Sequence, residues 1–159
     1  LKFPHAQGIP PLVLILTIVV NYVNISCRKD LPPPSNWSAP NDRLISTAGP
    51  LYTREQIEKV LAKGVMGVAL FTEDCFADVA MQGWALQDVV TILREALTAG
   101  TYKNSQWCKQ SPTGPIAPCD AYVVPRLEVE NGRRRRENFY VKFAIAANGQ
   151  MLLIFSCHP

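Results

Sequence analysis

Two short stretches carry side chains able to act on a phosphate. In Gly100–Lys109, "GTYKNSQWCK", a Tyr-Lys pair is followed by Asn, Ser, Gln and Trp. Lysine offers a point charge to a phosphate, and tryptophan offers a stacking face. By composition the stretch reads as a polar loop just beyond a helix. In "ENGRRRRENFYVKF", Glu130 to Phe143, four arginines precede an alternating run. Tyr140 and Lys142 stand at i and i+2, so on a strand they are neighbours on one face. A phenol beside an ammonium can polarise a phosphoryl group and pass a proton. Arg133, Arg134, Arg135 and Arg136 cannot do that chemistry, because a guanidinium keeps its proton. They read as a soluble turn between strands. Each one that meets a phosphate adds a salt-dependent share of binding.

Charge and composition narrow the class. The net charge is only +3, but residues 101–159 hold eight Lys/Arg against four Asp/Glu. A basic third in a near-neutral chain fits a local polyanion site. Apolar residues make up 48% of the chain, enough for a core. The only histidines are His5 and His158, so a two-histidine ribonuclease site is excluded. No HExxH, GxSxG or P-loop occurs, and the acids do not cluster as a metal-dependent nuclease requires. A phosphoryl-transfer site in this chain runs on Lys, Tyr, Arg and His158, with no metal and no cofactor expected. Five scattered cysteines without a CxxC pair lack zinc spacing and point to reduced thiols in the cytoplasm.

These side chains need a frame. "TREQIEKVLAKG" predicts a helix, with a Thr53–Gln56 capping box and a stop at Gly64. "VMGVALF" is a strand or a buried connection. "TEDCFADVAMQG" predicts a second helix capped by Thr72. "WALQDVVTILREAL" is the main helix, with Leu86, Val89, Val90, Leu93, Ala96 and Leu97 on one face. Three β segments follow. "DAYVVPRLEV" contains Pro125, which predicts an edge strand or a bulge. "NFYVKFAIAA" places Phe139, Val141, Phe143 and Ile145 on one face, with Tyr140 and Lys142 on the other. "QMLLIFSC" is apolar and central, and Asn148-Gly149 predicts a hairpin before it. Helices followed by a meander give an α+β fold, with the helices on one face of a small antiparallel sheet.

Residues 1–50 read as an extension to a domain over 51–159. Ile9–Val20 is an uncharged apolar run of 12, shorter than the ~20 residues that span a bilayer. Lys2 before it and "NISC" after it sketch an export signal, the alternative to a cytoplasmic chain. Residues 31–50 hold five prolines and have the composition of a weakly packed linker.

Residues 53–159, about two-thirds of the chain, resemble the motility quorum-sensing regulator (MqsR) family of bacterial toxins. The resemblance lies in five stretches in order: the helix ending "LAKG", "GWALQDVVTILREALTAGTYK", "DAYVVPRL", "FYVKFAI" and "MLLIFS". It implies a RelE-like α+β fold and a ribosome-independent mRNA endoribonuclease that cleaves by 2′-OH attack. The implied partners are mRNA and a cognate antitoxin protein encoded by a neighbouring gene, with no membrane partner for the domain. Lys103 matches the family's catalytic lysine, and Tyr140 its catalytic tyrosine. Cys119 stands where the family has a glutamine, a role open to Gln106 or Gln110. The family's late lysine is replaced by Cys157 or His158, and imidazole is the side chain that titrates between about pH 5 and 8. His158 is the expected acid. Expected RNA contacts are Tyr102, Tyr122, Arg126, Lys142 and Arg133–Arg136. Two other functions stay open: a catalytically impaired relative that binds RNA or antitoxin, and an exported lipoprotein with a basic binding face.

Overall fold

The computed structural model describes residues 22–159. The apolar run Ile9–Val20 lies outside them. Among the described residues no helix is long and apolar enough to cross a membrane.

Among the described residues three α-helices form where local chemistry directs. In α1 (Arg54–Leu61) the Thr53 hydroxyl accepts from the Gln56 N–H, and the Gln56 side chain accepts from the Thr53 N–H. Ile57, Val60 and Leu61 face the core. The helix gives way at Gly64, whose φ of 61° suits a residue without Cβ. In α2 (Glu73–Met81) Thr72 caps the Cys75 N–H. α3 (Leu86–Thr98) buries Val89, Val90, Ile92, Leu93 and Ala96.

Among the described residues six strands make one sheet: β1 (Leu44–Ile45), β2 (Val68–Leu70), β3 (Thr101–Lys109), β4 (Ile116–Glu130), β5 (Arg133–Ile145) and β6 (Leu152–His158). Their order is β1-β3-β4-β5-β6-β2. β3 to β6 are an antiparallel meander, but β2 runs parallel to β6. The fold is therefore α+β, as expected, on a mixed sheet rather than an antiparallel one. β2 lies far before β6 in the chain, and α2, α3 and β3 to β5 intervene, so no hairpin dictates its direction. The face carrying Phe139, Val141 and Phe143 joins α1 and α3 in the core. α2 flanks β6 beyond the end of β2, where the Thr72 hydroxyl donates to the Phe155 carbonyl at 3.0 Å.

Three expectations need correction. Gly100–Lys109 is not a loop: it supplies β3, paired along its length with β4. The four arginines are not a turn. They open β5, and only Asn131 (φ 52°) and Gly132 (φ 74°) form the turn, a mirror-type geometry that matches strand twist. β4 runs unbroken past Pro125 against β5, while β3 ends opposite Val123. Past that point β4 and β5 continue as a two-stranded ribbon, so Pro125 meets no neighbour on the β3 side.

Residues 23–27, which precede the stretch read as a linker, are tied to the sheet, and so is β1 within that stretch. The Ile25 N–H donates to the Ile116 carbonyl (3.0 Å), the Ile116 N–H to Val23 (2.8 Å) and the Cys27 N–H to Ile145 (3.0 Å). β1 pairs with β3. The buried Asp120 carboxylate accepts from the Leu51 N–H (2.9 Å), the Tyr52 N–H (3.0 Å) and the Ser105 hydroxyl (2.6 Å). An extended segment needs no strand propensity of its own where strand ends leave backbone groups to satisfy.

Candidate functional site

The sheet face opposite α1 and α3 gathers the candidate side chains. Cross-strand partners share a face. On β5 and β6 the pairs Tyr140↔His158 and Lys142↔Ser156 form two successive rungs. The Tyr140 and His158 rings lie 5.6 Å apart. His158 Nδ1 is bonded to the Pro159 oxygen at 2.9 Å, which leaves Nε2 as the ring nitrogen available for chemistry. Cys157, the alternative to His158 in the expectation from sequence, opposes Val141 and is buried in the core. Burial pushes its thiol up to about 12. The register thus puts the imidazole, not the thiol, beside Tyr140.

A β-bulge brings Lys103 to the same place. Tyr102 opposes Tyr122, but Ala121 is opposed by Asn104, so Lys103 is the extra residue. Its ammonium stands 6.0 Å from the centre of the Tyr140 ring, and that of Lys142 stands 5.9 Å from it. Among the described residues neither lysine pairs with a carboxylate. Bulges commonly re-aim side chains beside active sites.

The bulge also reverses the faces of all later β3 residues. In an uninterrupted strand Tyr102, Asn104 and Gln106 would share the core face. Instead Ser105 turns inward to Asp120, and Gln106 turns outward. The Gln106 side-chain amide then donates to the Tyr140 hydroxyl at 3.1 Å. Gln106 is the cross-strand partner of Cys119, the position at which the resemblance leads one to expect a glutamine. A glutamine moved across one rung keeps its amide within the same few ångströms. Cys119 itself is fully buried. Gln110 lines a neighbouring cleft instead. Burial pushes the Tyr140 hydroxyl above its ordinary value of 10, while Lys142 and the Gln106 bond pull the other way. Tyr140 is a proton-bearing donor at neutral pH.

Three expected RNA contacts lie elsewhere. Tyr102 and Tyr122 are cross-strand partners on the core face, with rings 5.8 Å apart, and Tyr122 stacks on Phe143. The Tyr102 hydroxyl bonds to Ser105 Oγ at 2.7 Å. Arg126 faces the helices, where it pairs with Glu95 of α3 (3.3 Å) and with Glu128 (3.2 Å). Its guanidinium lies 4.8 Å from the Trp84 ring centre. The pairing register puts all three on the side away from Tyr140. It also divides the arginines. Arg134 and Arg136 share parity with Tyr140, while Arg133 and Arg135 point to the other face. Arg135 is held by Glu137 at 2.8 Å.

Composition gave little warning of the bulge. No hydrophobic alternation marks it, because Ser105 with Trp107 and Gln106 with Cys108 each combine a polar and an apolar side chain. Among the described residues no three His, Cys, Asp or Glu side chains gather as metal ligands. In comparisons with known proteins, no family model, no curated relative and no solved structure matches this chain.

Proposed function

We propose that this chain is a ribosome-independent, metal-independent mRNA endoribonuclease, the toxin of a toxin–antitoxin pair, on a RelE-like version of the α+β fold. What supports it is one open strand face on which Lys103, Gln106, Tyr140, Lys142 and His158 converge, with Gln106 bonded to the Tyr140 hydroxyl.

In the reaction the RNA 2′-oxygen attacks the adjacent phosphorus. The O2′–P bond forms, the P–O5′ bond breaks, and the products are a 2′,3′-cyclic phosphate and a 5′-hydroxyl. The 2′-OH proton passes to water, and the leaving O5′ takes a proton from His158. Lys103 and Lys142 offset the charge that builds on the phosphorane. Tyr140 donates its hydrogen to a non-bridging oxygen, held in place by Gln106. Preorganised donors of this kind act where charge develops, and removing one costs about 10²–10³ in rate. Arg134 and Arg136 hold flanking phosphates, and an acidic antitoxin encoded by a neighbouring gene restrains the toxin.

The test is cleavage of purified RNA in EDTA. The wild-type chain releases fragments with cyclic-phosphate and 5′-hydroxyl ends. Lys103→Met lowers the rate about 100-fold while the unfolding temperature holds, and it no longer arrests growth. RNA left intact by the wild-type chain ends the proposal.

A further inference from the structure

Beyond the Lys142–Ser156 rung, the same sheet face deepens into a cleft of about 630 Å³. Lys142 and Ser156 form its near wall. Phe71 and the first turns of α2, with Glu73, Asp74 and Phe76, form its far wall. Phe76 is 59% exposed, although its neighbours Cys75 and Val79 are in the core. Phe71 is braced against the buried Phe155, with ring centres 5.3 Å apart. The cleft therefore presents one braced phenyl and one bare phenyl to solvent. Lys109 also lines it, but its ammonium is held between Tyr22 (4.3 Å) and Trp37 (4.6 Å). Lys142 is thus the cation common to the cleft and to the candidate site.

These groups divide the cleft chemically. A phosphate is attracted to the Lys142 end and repelled from the Glu73–Asp74 end. Ionised carboxylates only accept hydrogen bonds, so whatever meets them must donate. The dipole of α2 accounts for acids in its first turn, but it does not account for a bare phenyl in the same cleft as Lys142. A flat ring with N–H groups on its edge, tethered to a phosphate, satisfies every part at once. Single-stranded RNA is recognised by bases splayed onto aromatic side chains and read along their edges.

Building on the ribonuclease reading, we propose that this cleft is a base subsite. The nucleotide beside the scissile phosphate turns its base onto Phe76 and Phe71. Glu73 and Asp74 select a base with an exocyclic amino group over uracil, as carboxylates do with the cytosine 4-amino group. Cytosine and uracil are both single rings and differ at this edge, so they make the sharpest comparison.

The probe is a fluorescein-labelled 2′-O-methyl RNA, which keeps its phosphates but cannot be cut, because its attacking hydroxyl is blocked. Fluorescence anisotropy compares oligo-C with oligo-U. The wild-type chain binds oligo-C about tenfold more tightly. Phe76→Ala weakens oligo-C binding by about tenfold, within the range of one aromatic–base stack, and Phe76→Trp restores it. Glu73→Gln with Asp74→Asn brings oligo-U level with oligo-C. Equal wild-type binding of the two oligomers, or unchanged binding by Phe76→Ala, overturns the subsite. Because the probe is not cut, the two proposals fail separately. A chain that binds with this pattern but cleaves no RNA keeps the subsite and loses the ribonuclease. A chain that cleaves RNA with the same cut sites after Phe76→Ala loses the subsite alone.

Discussion

Replacing Tyr140 with phenylalanine removes one oxygen from the candidate site and leaves the ring. The ring keeps its place beside His158 at 5.6 Å and its distances of 6.0 and 5.9 Å from Lys103 and Lys142. The lost interaction is the 3.1 Å hydrogen bond from Gln106. Such a bond contributes about 0.5–1.5 kcal/mol net. Gln106 is half-buried, so water can satisfy its amide and the cost lies at the low end. The unfolding temperature should fall by less than about 4 °C. The rate tells a different story if Tyr140 donates to the phosphorane. Losing one preorganised donor costs about 10²–10³ in kcat, or about 2.7–4 kcal/mol. KM should change little, because Lys103 and Lys142 still hold the phosphate. The assay is cleavage of a short RNA in EDTA, paired with calorimetric unfolding. A Tyr140→Phe chain that cleaves within threefold of wild type refutes the role of the hydroxyl. A rate loss matched by a fall of 10 °C or more in unfolding temperature would make Tyr140 a structural residue instead.

The pH profile gives an independent check on the same oxygen. Burial raises the Tyr140 hydroxyl above 10, and Lys142 opposes the rise. A raised value means the proton is kept to higher pH, so Tyr140 donates across the neutral range. The alkaline fall in rate that belongs to Tyr140 is centred above the ordinary tyrosine value. Lys142→Met removes the opposing charge and moves that fall further up. A downward movement in the pH–rate profile contradicts the assignment of cause.

Two further outcomes follow from the register. Arg134 and Arg136 share the Tyr140 face, so Arg134→Gln with Arg136→Gln should reduce the salt slope of RNA binding by about 1.4, at about 0.7 per phosphate. Arg133→Gln with Arg135→Gln should change it less; the opposite order in anisotropy across a KCl series would contradict the division of the arginines by face. Gln106→Ala should lower kcat about tenfold through loss of the bond that orients the Tyr140 hydroxyl. Adding Cys119→Gln, its partner across the ladder, should recover part of that loss; no recovery in single-turnover cleavage would mean that rung does not carry the role.

The parts of this fold that were legible from sequence are those whose determinants lie within a few residues. Thr53 and Gln56 make the capping box that their spacing predicts, and Thr72 caps α2. Phe139, Val141, Phe143 and Ile145 are buried as their alternation requires. Gly149, at φ 71°, turns the chain between β5 and β6 where Asn148-Gly149 predicts a hairpin. Segments whose partners are distant were misread. Residues 31–50 look like a linker because nothing in their composition points to β3, the distant strand with which Leu44 and Ile45 pair. The arginines look like a turn because like charges favour solvent, yet the backbone of β5 pairs through all four of them.

By itself, the sequence determined the helices and the wet and dry faces of β5, and it offered Lys103, Tyr140 and His158 as candidates for phosphate chemistry. Only the tertiary structure decided which of them meet. One extra residue in β3 sets the phase of everything after it, because side chains alternate with a period of two and a bulge shifts that count by one. That shift sends Ser105 to Asp120 and Gln106 to Tyr140. The pairing of Tyr140 with His158 likewise chooses the imidazole over the adjacent thiol, and the same ladder turns Arg126 and Tyr122 to the far side. Register is a property of two strands together, so no single stretch of the chain contains it.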